Sequence, residues 1–238
     1  MKNSTVFENV AHAIAEKILD GSYSQEQKLP SEYDLAKEFN VSRLTVRKAI
    51  DLLISQNLVV KQRGKGTYIM KQSDKFQSGQ NGLLSFTESA KAFGKTSKSV
   101  IIDFDTLSSV PKEITQKLQI KNEAVFHITR LRYFDDDPMT IEEIFINPDY
   151  LPENIKPDML EGSLFKLIEE KIDISYSHQE IEAVLVTESL AEHLKVPIGD
   201  PVLLVHTITY SASGTPILFD NSYYRADKYT FKNTLHRT

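Results

Sequence analysis

Apolar residues recur at every fourth position at the start of the chain: Val6, Val10, Ile14 and Ile18 line one face of a helix. Gly21 follows, where a helix can stop in the left-handed conformation. A second helical pattern opens at Pro30 and Ser31, with Ser31 placed to cap it and Glu32 and Asp34 in its positive first turn. Leu35, Ala36 and Phe39 mark the inward side of this helix, and Asn40 breaks it. Ser42 then caps a third helix, RLTVRKAIDLLIS, in which Val46, Ala49, Ile50 and Leu53 share a face. Ala36, Asn40 and Val46 stand four and six positions apart, the spacing of a close helix pair joined by a tight turn, and this predicts a helix-turn-helix. The period then changes. LVVKQRGKGTYIM reads as two short strands around Gln62–Gly66, a hairpin wing after three helices.

Residues 71–82 are small and polar and read as a linker between a winged-helix domain at 1–70 and a larger domain at 83–238. In the larger part, six runs rich in β-branched and aromatic residues predict strands, and they alternate with four short helical segments. The expected fold class is α+β, with a mostly antiparallel sheet in the second domain. An internal echo runs through it: Val125 and Val202, and Tyr133 and Tyr210, are each 77 positions apart, and Glu142 matches Asp220 at 78. Each copy is a helix, a strand, a turn and a return strand, so two hairpins about a pseudo-twofold axis are expected.

The formal net charge of −5 is unevenly spread. Residues 1–72 hold 11 Lys and Arg against 8 Asp and Glu, which leaves 17 against 25 for the remainder. That asymmetry points to a polyanion partner for the first part. Cysteine is absent, which excludes disulfides and thiolate chemistry, and no apolar run approaches a membrane span or a signal peptide, so a cytoplasmic protein without membrane contact is expected. The six histidines are scattered without metal-ligand spacing, and no nucleophile–base pair is placed by sequence, so no catalytic residue, metal or cofactor is expected.

Arg43 and Arg47 lie one turn apart on the outward side of the third helix, and an arginine fork pairs with guanine O6 and N7 in a major groove. Arg63 and Lys65 sit at the glycine-rich wing tip, suited to phosphates or a minor groove. The run LPSEYDLAKEFNVSRLTVRKAIDLLISQNLVVKQRGKGTYI resembles the N-terminal domain of GntR-family bacterial repressors. By position, the resemblance puts DNA contacts on Ser42, Arg43, Leu44, Thr45 and Arg47, and on Arg63, Gly64, Lys65 and Gly66 of the wing. Tyr33 stands where the family usually has Arg; it can donate to a phosphate but cannot fork onto guanine.

Strand alternation puts Arg130 and Arg132 on one side, and a hairpin at Asp135–Asp137 brings Glu142 to that side near Arg130. Two readings stay open: an anion site made by paired forks, or an ion pair without a ligand. The segments GLLSFTES, TRLR, PMTIEE, GSLFKLIEE, ISYS and SYYRADKYTF resemble the effector domain of the HutC subgroup, the UTRA domain, which has a chorismate-lyase-like fold. The resemblance implies phosphate contacts at Ser85, Thr87, Arg130, Arg132 and Ser163, with Phe86 beside them and Phe165 where several relatives have a phosphate-binding Tyr. It implies sugar contacts at Glu142, Asp220 and Tyr224. A homodimeric repressor of a carbohydrate-utilisation operon is expected, bound to a palindromic double-stranded operator and released by a sugar phosphate. A carboxylate effector and a lyase-like enzyme are the alternatives.

Overall fold

The computed structural model describes residues 5–24, 27–56, 58–70, 75–78, 82–121 and 124–232. The chain divides into two compact units, Met1–Asp74 and Lys75–Thr238.

In the first unit, α1 (Val6–Leu19), α2 (Glu32–Glu38) and α3 (Arg43–Ser55) are followed by the hairpin β1 (Val59–Gln62) and β2 (Gly66–Ile69). The predicted stripe of α1 meets Leu35 of α2 and Val46, Ala49, Ile50 and Leu53 of α3 in one core. Val6 departs from expectation and is exposed at the first helical position, where it borders the outer residues Leu44 and Lys48 of α3 rather than its buried stripe; Ala11 takes the inner face instead. Ser31 and Ser42 cap their helices, accepting from the amides of Asp34 (3.2 Å) and Thr45 (3.1 Å). Asn40 makes the turn between α2 and α3 at φ 50°. Gly66 stands at φ +122°, a backbone conformation that demands glycine; a Cβ there would also meet Lys28 Cε at 2.4 Å, a flexible side-chain end that could move aside. The segment before α2 pairs along β2: the Leu29 amide donates to Thr67 O at 2.8 Å and the Ile69 amide to Gln27 O at 2.9 Å.

The second unit is built on a six-stranded antiparallel sheet in the order β4-β5-β6-β9-β8-β7. The strands are β4 (Ser97–Leu107), β5 (Val125–Phe134), β6 (Asp137–Ile146), β7 (Ile174–Leu185), β8 (Pro201–Ser211) and β9 (Pro216–Arg225). The helices are α4 (Phe86–Ala92), α5 (Lys112–Leu118), α6 (Leu164–Glu169) and α7 (Glu188–Leu194). The internal echo is structural. α5 leads into the β5–β6 hairpin and α7 into β8–β9, while α5 packs on β9 and α7 on β6, as a twofold exchange requires. Both helices end on a left-handed residue, Gln119 at φ 53° and Lys195 at φ 55°. Both hairpins carry a register shift at matching places, Arg132/Tyr133 and Thr209/Tyr210. The opposite face is covered by α6 and the 3-10 turn Pro157–Glu161, through Leu160, Leu164 and Ile168 against Ile128, Ile144 and Leu218.

The linker expected over 71–82 is corrected in part. Phe76–Ser78 form β3, which pairs in parallel with β10 (Tyr229–Phe231), and residues 71–74 and 79–81 lie outside the described residues. Phe76 decides this, because it packs edge-on against Phe134 at 4.8 Å and beside Tyr229, burying apolar area that a linker would leave in water.

Leu53 is fully buried where α3 meets the other two helices. Leu53→Ala should cost about 2–5 kcal/mol, read by native-state hydrogen exchange as faster exchange of α1–α3 amides. The amides of β5 and β6 should keep their protection.

Candidate DNA-reading surface and effector cavity

The apolar stripe of α3 faces the core, so its other side is left to solvent. Arg43, Leu44 and Arg47 are exposed there, Leu44 to 63%. Thr45 is half-buried, its hydroxyl 2.8 Å from that of the capping Ser42, so these two residues set the start of the helix. Arg47 is not loose: its Nε donates to Glu32 Oε1 at 3.3 Å and its Nη2 to Glu32 Oε2 at 2.9 Å. Arg43 Nη2 lies 4.0 Å and Lys61 Nζ 3.5 Å from the same carboxylate. The bond from Arg47 leads the causes that hold the Glu32 carboxyl below its usual range, outweighing the desolvation that pushes it up. Tyr33 is exposed, with Lys37 Nζ 4.4 Å from its ring centre. Arg63, Gly64 and Lys65 are exposed at the turn between β1 and β2, where the Lys65 amide donates to Gln62 O at 3.0 Å.

On the sheet face beneath α4 and α6 lies a cavity of about 90 Å³. Arg130 and Arg132 of β5 and Glu142 of β6 enter it and are almost fully buried. Glu142 Oε2 accepts from Arg130 Nε (3.0 Å), Arg130 Nη2 (2.6 Å) and Arg132 Nη1 (3.1 Å). Arg130 also donates from Nη1 to Leu160 O at 3.0 Å. Arg132 donates weakly from Nη2 to Thr87 Oγ1 at 3.4 Å, and its guanidinium lies 4.5 Å from the ring centre of Phe86. Its Nε is buried with no hydrogen-bond partner among the described residues, as is Thr209 Oγ1, which lines the same cavity. Ser85 caps α4 and donates to Glu88 Oε2 at 2.7 Å, while Ser163 caps no amide of α6 with its side chain. Phe165, Asp220 and Tyr224 complete the wall.

The electrostatics differ across the cavity. Burial pushes Glu142 up, but the two guanidinium groups outweigh it and the carboxyl stays below its usual range. Burial lowers Arg130 to about 10 in spite of Glu142. Asp220 has no arginine of its own. Removal from bulk water pushes it up to about 7, against a 2.7 Å hydrogen bond from Ser222 Oγ that pulls it down. Burial also raises the Tyr224 hydroxyl well above its usual value.

Residues 7–69 match the bacterial regulatory proteins of the gntR family, and residues 92–230 match the UTRA domain, more than half of the chain. The chain belongs to the gntR family of UTRA-containing regulators. Similar proteins include the HTH-type transcriptional repressor NagR of Bacillus subtilis, 33% identical, covering 98% of this chain and 95% of that one. The probable fructoselysine utilization operon transcriptional repressor of Escherichia coli is 29% identical and covers 94% and 92%. The crystal structure of the possible transcriptional regulator YydK from Bacillus subtilis shares the fold at a TM-score of 0.69 and 21% identity, covering 98% of this chain and all of that one. This gntR-family chain is thus a transcriptional regulator and not an enzyme. No helix among its described residues is long and apolar enough to cross a membrane.

The ten effector residues expected from sequence, Ser85, Phe86, Thr87, Arg130, Arg132, Glu142, Ser163, Phe165, Asp220 and Tyr224, all line the one cavity. Arg130 departs in one respect: Glu142 and a backbone carbonyl already take its donors, so it is not an open fork. The sequence reading missed Thr207, Thr209, Gln179 and Ser222, which share the wall. The echo contained the signal, since Thr207 and Thr209 occupy in β8 the places of Arg130 and Arg132 in β5. On the other surface it missed Glu32, read only as a first-turn acid.

Between about pH 4 and pH 7 the folded protein keeps on Asp220 a proton that the unfolded chain releases, so this group's contribution to stability falls as pH rises. Asp220→Asn cannot titrate. Its stability relative to wild type should rise across that window by an amount on the order of 1–3 kcal/mol, then level off. Denaturant unfolding of both proteins at pH 4.5, 6 and 8 checks this; a constant gap would refute the assignment.

Proposed function

We propose that this regulator is a homodimeric repressor of a carbohydrate-utilisation operon, released from a palindromic operator by a phosphorylated sugar. The observation that carries the effector reading is Arg132 Nε, buried in the cavity without a partner. Leaving a buried charged donor unsatisfied is costly, and an anionic ligand would relieve it. Thr87, whose hydroxyl is 3.4 Å from Arg132 Nη2, and Ser163 on the cavity wall would supply further polar contacts. Glu142, held by both arginines, and Asp220 are the acids of the same cavity, and they would suit sugar hydroxyls. The naming of similar proteins as repressors, one of them a probable repressor of a fructoselysine utilization operon, supports the same reading.

On the DNA side, Arg43 and Arg47 would read base edges while Arg63 and Lys65 engage the backbone. One winged helix spans few base pairs, so useful affinity needs two half-sites about 34 Å apart, hence a dimer. Effector binding would oppose operator binding by a coupling of about 1–3 kcal/mol. A carboxylate effector is a second reading with its own support: among the described residues each Arg130 nitrogen has a partner while Arg132 Nε has none, and one fork suffices for one carboxylate.

Neutralising both Arg63 and Lys65 should reduce the log–log salt dependence of DNA binding by about one unit per lost phosphate contact. Anisotropy titrations from 50 to 300 mM salt, a range on the order of that in which such contacts are resolved, read the slope, and an unchanged slope would remove the wing from the interface.

Calorimetry tests the cavity. Hexose phosphates should bind wild type at least about tenfold more tightly than the free hexoses, and Arg132→Ala should erase that difference. The same phosphates should dissociate the wild-type DNA complex in gel-shift titrations. Binding of small carboxylates alone would favour the second reading, and full affinity in Arg132→Ala would exclude both.

A further inference from the structure

Three cations from two elements converge on one acid at the DNA-reading surface: Arg43 and Arg47 of α3 and Lys61 of β1 all approach Glu32. The Glu32 side chain is 18% exposed, whereas those of the three cations are 52–64% exposed. The carboxylate therefore lies beneath a cationic layer rather than beside it. A single exposed ion pair contributes little, but a shared, shielded carboxylate with several partners fixes geometry. It engages Arg47 through Nε and Nη2, one edge of the planar guanidinium. Glu32 takes neither N–H of Nη1 and only one of Nη2, so the end formed by these two nitrogens keeps two parallel N–H groups on a side chain that is 53% exposed.

We propose that Glu32 sets DNA specificity by clamping Arg47: it fixes the plane of the guanidinium so that its outer end addresses a base, and it cancels charge that would otherwise seek phosphates. The inference rests on α3 being the reading helix. An unclamped arginine on a flexible stem pairs with whichever phosphate is nearest, and that attraction is sequence-independent. A guanine edge needs two parallel N–H groups in one plane, which is an orientational demand. One carboxylate therefore trades total attraction to DNA for discrimination among sequences. Glu32 is on this account a positioning residue, and no contact between Glu32 and DNA is invoked.

The test uses the full-length protein, a duplex enriched from a random pool by the wild type, and a scrambled duplex of the same length. Glu32→Gln keeps shape and removes charge. It should bind the scrambled duplex more tightly and steepen the log–log salt slope by about one unit. Its preference for the enriched duplex should fall by roughly fivefold or more, with the melting temperature unchanged. Glu32→Asp keeps the charge on a shorter arm, so it should lose preference while holding the wild-type salt slope. In an Arg47→Ala background, Glu32→Gln should no longer alter the preference. If Arg47→Ala weakens binding to the enriched duplex but Glu32→Gln changes neither duplex, the clamp is wrong and the reading helix stands. If Arg47→Ala binds both duplexes as wild type does, the helix assignment fails and the clamp with it. A Glu32→Gln protein that loses the enriched duplex without gaining the scrambled one would make Glu32 a DNA contact, which also overturns the proposal.

Discussion

The antiparallel pairing of β6 with β9 at the centre of the sheet is the constraint on which the cavity depends. In its register Glu142 faces Ser222 and Ile144 faces Asp220, so both carboxyls fall on the same side of the sheet, one pleat apart. A slip of one residue between the two strands would turn one of these carboxyls to the opposite face. That face is already committed: Glu143 there bonds His127 at 3.2 Å and Asn221 at 3.1 Å, while Phe145 stacks on Phe219. Two dissimilar faces, one lining the cavity and one filled by a polar ladder and aromatic rings, thus hold one register against its alternatives.

Bringing two acids together under cover creates a charge problem, and β5 solves half of it. Arg130 and Arg132 share a single oxygen of Glu142, which keeps that carboxyl ionised despite burial. Removing one partner from such a group would leave a buried charge uncompensated, so the cluster is retained as a unit. Arg130 spends its remaining reach on Leu160 O and ties the 3-10 turn to the sheet. Arg132, one pleat further along, has no such anchor and keeps an unpartnered Nε. Two residues of one type on one strand face thus divide into a structural group and one with binding capacity to spare. The division follows from which backbone carbonyl happens to lie within reach.

Sequence patterns carried the architecture because they are local. Period-four stripes, Ser caps and the change to period two located every element of the winged helix, and β-branched runs located the six long strands. The short pair β3 and β10 was not legible, since three residues carry no period and their partner lies some 150 positions away. The 77-residue echo was legible, and it correctly paired Glu142 with Asp220. The roles within the site were less so. Alternation puts Arg130 and Arg132 on one face, yet nothing in the sequence says that Leu160 O meets only the first. Nor does the spacing between Glu32 and Arg47 announce a contact, because the turn at Asn40 and not the separation in sequence brings α2 against α3.

Both sites obey one rule about guanidinium groups. Arginine offers five N–H donors in a rigid plane, more than one carboxylate can use. On the outer side of α3 Glu32 takes one edge of Arg47, and in the cavity Glu142 takes one nitrogen of Arg132, so each arginine is oriented without being exhausted. The cavity adds a response that the surface lacks. Asp220 sits near its midpoint at neutral pH, and a negative charge brought to Arg132 would favour its neutral form. A neutral carboxyl donates one hydrogen bond and accepts others, which is the valence a sugar hydroxyl satisfies. If the proposed anion binds at Arg132, Asp220 would be the better suited to a sugar hydroxyl, and a ligand carrying both groups would gain from each. A plain anion would gain from only one, which is the discrimination that the proposed sugar-phosphate effector calls for.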